Sequence, residues 1–89
     1  MKTVETYEIK FPNQKTITIF EIKQYSSGEF EAFQDCKENR KIDSQLFFSV
    51  ENRQAAKLPT VRNHIFKEIN RKCRGFSITK EELENYRVA

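Results

Sequence analysis

Apolar and polar residues alternate from the start of the chain. Tyr7, Ile9 and Phe11 share one parity, while Thr6, Glu8 and Lys10 share the other. Period two is the signature of a half-buried strand, expected over about residues 3–11. Pro12 and Asn13 then supply turn chemistry, one pre-setting φ and the other tolerating unusual backbone angles. A second strand is expected over about 15–25, rich in β-branched and aromatic residues. Its apolar set changes phase, from Ile17 and Ile19 to Phe20 and Ile22. Either a bulge near Phe20 or burial of both faces would explain that.

The stretch Ser26-Ser27-Gly28-Glu29 makes the next turn, and a third strand is expected over about 29–37. Two short connections make antiparallel pairing the default, so these strands form a meander. After a charged loop, the most apolar run of the chain, "QLFFSV", predicts a fourth strand at about 45–49. Phe47 and Phe48 are neighbours there and must point to opposite faces. Either both faces are covered or one ring waits for a partner. These two residues are therefore the candidate interface, for a homodimer or larger assembly or, alternatively, for an adaptor or inhibitor that docks on another protein through the apolar strand 45–50 or the basic helix.

The period then lengthens. Ser49 can cap, Glu51 suits a first turn, and "RQAAK" has high helix propensity, which predicts a short helix over about 50–57 ended by Pro59, with an extension of the fourth strand as the alternative. A longer helix is expected over about 60–74, with Gly75 where a left-handed C-cap belongs. Thr79 and Glu82 have the spacing of a capping box, opening a helix over about 80–87. The fold class is therefore α+β: a meander of three to four strands followed by helices packed on one face. A chain of 89 residues forms one domain, spanning 1–89.

Composition narrows the functional classes. Eight Phe and three Tyr argue against a disordered chain. No apolar run reaches the roughly 20 residues needed to cross a bilayer, so no membrane role is expected. The first ten residues do not build the apolar core of a signal peptide, and the expected location is the cytoplasm. Cys36 and Cys73 are far apart in sequence, with no C-x-x-C spacing and no ligand set for a metal. They read as reduced buried thiols, with a disulfide or redox pair as the alternative. Glycine occurs only at 28 and 75, so no glycine-rich phosphate loop is present and no cofactor is implied. Glu29 with Glu31 and Glu81 with Glu82 are ordinary surface acids without a cleft between them. The expectation is a protein that is not an enzyme.

Charge is unevenly distributed beneath a net value of +3. Residues 1–52 carry 7 basic and 9 acidic side chains, residues 53–75 carry 7 and 1, and residues 76–89 carry 2 and 3. Placed on a helical wheel at about 100° per residue, Val61, Ile65, Phe66, Ile69 and Cys73 form one apolar sector. Opposite it lie Asn63, Lys67, Asn70, Arg71 and Arg74, with His64 at one shoulder and Arg62 among the further cations of the helix. Cations attract phosphates by releasing counterions, and Arg, Asn and Lys are also the side chains that read base edges. The candidate site is thus Arg62, Asn63, His64, Lys67, Asn70, Arg71 and Arg74. Its expected partner is nucleic acid or, alternatively, an acidic protein surface. A solvated basic face serving solubility alone has the same sequence pattern.

Part of this segment, "AAKLPTVRNHIFKEI", resembles fragments of a helix-turn-helix over about 20 residues. In that motif an Ala-rich helix precedes a recognition helix opening with Thr-Val and basic residues. The connecting "KLP" departs from the motif by being too short for the usual glycine-containing turn. Tyr25, Phe30, Phe33 and Phe47 provide a second candidate surface, since sheet rings away from the helices could stack on single-stranded nucleic acid.

Overall fold

A computed structural model describes residues 1–12, 14–36, 53–55, 57–72 and 74–89. The chain runs through β1 (Lys2–Ile9), β2 (Thr18–Gln24), β3 (Phe30–Cys36) and β4 (Arg53–Ala55), then α1 (Leu58–Lys72) and a 3-10 helix (Glu81–Tyr86). The four strands form one antiparallel sheet in the order β1-β2-β3-β4. This is the small α+β fold that the hydrophobic periods predict. The expected strand at 45–49, with Phe47 and Phe48, lies outside the described residues, as does Cys73.

Strand pairing explains the phase change in β2. Its register against β3 is unbroken from Thr18↔Cys36 to Gln24↔Phe30, so no bulge sits at Phe20. Phe20 and Ile22 are fully buried, while Ile19, of opposite parity, is half-buried on the other face. Both faces of β2 are therefore partly covered. The irregularity falls instead in β1, between Thr3 and Glu5, where Val4 is the extra residue.

One face of the sheet carries the core. Tyr7, Ile9, Phe20, Ile22 and Ala32 pack with Val61, Ile65 and Ile69 of α1, and Phe11, Ile78 and Leu83 close the ends. Each such side chain contributes roughly 1.5–3 kcal/mol by leaving water. Phe76 meets Phe11 edge-to-face at 5.7 Å, which draws the segment after α1 back onto the sheet.

Two element assignments from sequence are corrected. The helix expected over 50–57 is contradicted at residues 53–55, which pair with β3 through Phe30↔Ala55, Glu31↔Gln54 and Ala32↔Arg53. Helix propensity is a weak bias of tenths of a kcal/mol per residue, and a ladder on an open sheet edge overrides it. With no helix before α1 at these residues, the resemblance to a helix-turn-helix fails. Pro59 accordingly ends nothing. It lies in the first turn of α1, where its missing N–H costs no helical hydrogen bond. The expected helix over 80–87 is a 3-10 helix of six residues. The long helix spans 58–72, two residues earlier than the expected 60–74.

Local punctuation matches the sequence closely. Gly75 has φ +83° and Gly28, in the β2–β3 hairpin, has φ +96°, both in the region that disfavours a Cβ. Thr79 and Glu82 form the capping box: Thr79 N–H donates to Glu82 Oε1 at 2.8 Å, and Glu82 N–H to Thr79 Oγ1 at 3.2 Å. Beyond the 3-10 helix, the chain pairs with the outer edge of β1. Val88 N–H donates to the Thr6 carbonyl at 2.8 Å, and Thr6 N–H to the Ala89 carbonyl at 3.1 Å.

Candidate nucleic-acid interface and adjoining cleft

The helix α1 uses its circumference in three sectors. At about 100° per residue, Val61, Ile65, Glu68 and Ile69 point into the core, where all four are buried. A second sector, with Pro59, Arg62, Asn63 and Phe66, faces the C-terminal segment. The third, spaced 4, 3 and 4 along the helix, is Thr60, His64, Lys67 and Arg71, with Arg74 in the turn just beyond the last residue of α1. His64 is half-buried and the other four are exposed.

The predicted site residues divide between these sectors. Arg62 faces inward to Glu5 on β1, 57 residues earlier. Its Nε donates to Glu5 Oε1 at 2.9 Å and to Oε2 at 3.1 Å, and its Nη2 donates to Oε2. Glu5 is only 3% exposed. The Tyr7 hydroxyl donates to Glu5 Oε1 at 2.5 Å, and Arg87 Nη1 lies 3.6 Å from Oε2. Burial pushes the Glu5 carboxyl up, but the Arg62 and Tyr7 hydrogen bonds and the charges of Arg62 and Arg87 outweigh it. Glu5 is left below its ordinary value. The same contacts push Tyr7 up, through burial first and the Glu5 carboxylate second.

Asn70 is also committed to the fold. Its Nδ2 donates to the Ile78 carbonyl at 3.0 Å, and its Oδ1 accepts from the Ile78 N–H at 2.8 Å. The amide thus copies the pairing of a strand neighbour and holds the segment after α1 in place. Asn63 is half-buried on the same side, and its Oδ1 has no hydrogen-bond partner among the described residues. His64 Nδ1 is likewise buried without one. Neither asparagine extends from the wet face, as the sequence pattern predicts for base readers.

Arg71 and Lys67 remain outside with Arg74. Arg71 Nη2 donates to Glu68 Oε1 at 2.7 Å and Oε2 at 2.9 Å, and Nε to Oε1 at 3.2 Å. Glu68 is 3% exposed, so Arg71 neutralises a buried acid while remaining 58% exposed itself. Lys67 and Lys57 are exposed with no ion pair among the described residues. Lys72, in the last turn of α1, instead lays its ammonium near the rings of Phe11 and Phe20, at 5.5 and 5.9 Å from their centroids. The apparent charge of this segment is therefore partly spent inside the protein.

Between α1 and the 3-10 helix lies a cleft of about 340 Å³. Tyr7, Phe66 and Leu83 form its apolar base, and Pro59, Arg62, Asn63, Lys80, Glu81 and Glu84 its walls. This cleft was not legible in the sequence, because its two walls are some twenty residues apart. Glu5, in contrast, left a signal: it shares parity with Tyr7 and Ile9 and so had to face the core.

The sheet rings give little platform for stacking. Phe30 packs against the core, and Tyr25 and Phe33 are half-buried. Lys23 Nζ lies 5.1 Å from the Phe33 centroid. The Tyr25 hydroxyl donates to Glu31, which pushes the Tyr25 phenol up. Among the described residues, no group of three or more His, Cys, Asp or Glu could hold a metal ion. No helix among them is long and apolar enough to cross a membrane. No family model, curated protein or solved structure matches the chain.

Proposed function

We propose that this protein is a small non-catalytic module that binds nucleic acid through phosphate contacts, without reading base sequence. The observation that carries the reading is the exposed pair Lys67 and Arg71 on one side of α1, with the exposed Arg74 in the turn that follows the helix. Cations held on a rigid helix meet phosphate oxygens without first being ordered, and phosphate contacts position a protein without specifying sequence. Base reading loses two of its candidates, since Asn70 is bonded to Ile78 and Arg62 to Glu5.

Fluorescence anisotropy with labelled duplex DNA, single-stranded DNA and RNA at two salt concentrations tests this. Two or three phosphate contacts predict a log–log salt slope of about −2 to −3 on duplex. Duplexes of unrelated sequence should bind alike. The informative variant is Lys67→Glu with Arg74→Glu, which should remove binding. Arg71 is spared there because it covers the buried Glu68 carboxylate, and its reversal would unsettle the fold. Binding by this double variant equal to that of the unaltered chain would exclude the helix as the contact surface. Absence of binding to all three at low salt would leave the row to an acidic protein partner.

A further inference from the structure

We infer that the cleft between α1 and the 3-10 helix docks a protein segment carrying an arginine or lysine beside an apolar residue. It occupies a different sector of α1 from the cationic row, so the inference stands apart from nucleic-acid binding.

The argument starts from the charges that remain uncommitted. Arg62, the cation on the α1 wall, is bonded twice over to the buried Glu5. On the facing wall, Glu81 has no ion pair among the described residues, and Glu84 has only Arg87 Nη1 at 3.8 Å. Both carboxylates are exposed at the mouth of the cleft. Lys80 shares that rim, but an exposed lysine can swing its ammonium into solvent.

Beneath the rim, the half-buried Phe66 offers an apolar and aromatic surface to an aliphatic stem and its cationic head, and the buried Leu83 and Tyr7 close the floor behind it. Asn63 adds a carbonyl oxygen that lacks a donor among the described residues. Rotation of that amide would offer the oxygen to a guanidinium or ammonium. The volume of about 340 Å³ is at the small end for ligand sites and has room for more than one side chain. An anionic occupant would meet Glu81 and Glu84 with Lys80 as the one uncommitted cation of the cleft among the described residues.

The test is an NMR titration of the full ¹⁵N-labelled chain with an acetylated, amidated tetrapeptide of glycine, leucine, arginine and glycine. Two controls replace the arginine by glutamate or the leucine by glycine. Saturable shifts of the Asn63, Phe66, Leu83 and Glu84 amides by the first peptide, several-fold weaker with either control, are expected. Glu81→Gln should weaken that binding roughly twofold to fivefold, and Lys80→Ala should strengthen it by a similar factor, the range of exposed ion pairs. Both positions are exposed, so the fold tolerates the changes.

The proposal is overturned if the glutamate peptide binds as tightly, if shifts cluster at Lys67 and Arg71 instead, or if none appear up to about 10 mM, where even −3 kcal/mol would register. Equal shifts by spermidine alone would assign the cleft to a free polyamine and equally exclude a protein segment.

Discussion

Arg62 and Arg71 lie nine residues apart on one helix, and each grips a glutamate that is 3% exposed. Their roles still differ. Arg62 reaches across to β1, and its partner also holds Tyr7 and Arg87, so three side chains from β1, α1 and the C-terminal stretch share one carboxylate. Arg71 reaches back three residues along its own helix and keeps most of its surface in water. A long-range pair ties elements together, whereas a local pair mainly neutralises. The same residue type thus bridges separate elements in one place and stays at the surface of its own helix in the other.

The contrast is sharpest on removal. Arg62→Ala leaves the buried Glu5 with only the Tyr7 hydroxyl and the more distant Arg87, and unfolding in urea should show a loss of about 3 kcal/mol. The pH dependence follows from the same carboxylate. Its folded pKa is depressed, so its stabilisation is complete above the ordinary carboxyl value of 4.5 and is lost as pH falls through the folded value. Stability of the unaltered chain should therefore fall below about pH 4.5, and Glu5→Gln should flatten that fall. A stability curve unchanged by Glu5→Gln would mean that Glu5 carries no such coupling.

Asn70→Ala comes next. It deletes both bonds to the Ile78 backbone and should cost about 1–2 kcal/mol, with faster hydrogen exchange after Gly75. If nucleic-acid affinity fell while stability held, Asn70 would be a contact residue after all. Lys67→Ala marks the opposite end, within about 0.5 kcal/mol of the unaltered stability. A larger loss there would show that the wet row is structural and erase the comparison.

Much of the architecture was legible because it rests on local signals. The alternation in β1, the capping box at Thr79, the glycine at 75 and the apolar stripe of α1 each express a preference within one turn or strand. The residues 53–55 were misread because "RQAAK" has helical propensity, and the choice was made by the edge of β3. The site was half legible. The wheel brought Lys67, Arg71 and Arg74 to the wet side, but it also put Asn63 and Asn70 there. Both asparagines turn toward a segment whose return over the helix no wheel contains.

By itself, then, the sequence determined the meander, the long helix and where its positive charge is concentrated. Those depend on periods and on composition within short windows. Tertiary structure alone decided which of those charges remain available. An ion pair spanning 57 residues, such as Arg62 with Glu5, forms only when the fold brings its ends together. The cleft exists for the same reason, as the space left where two separately formed helices meet over Tyr7.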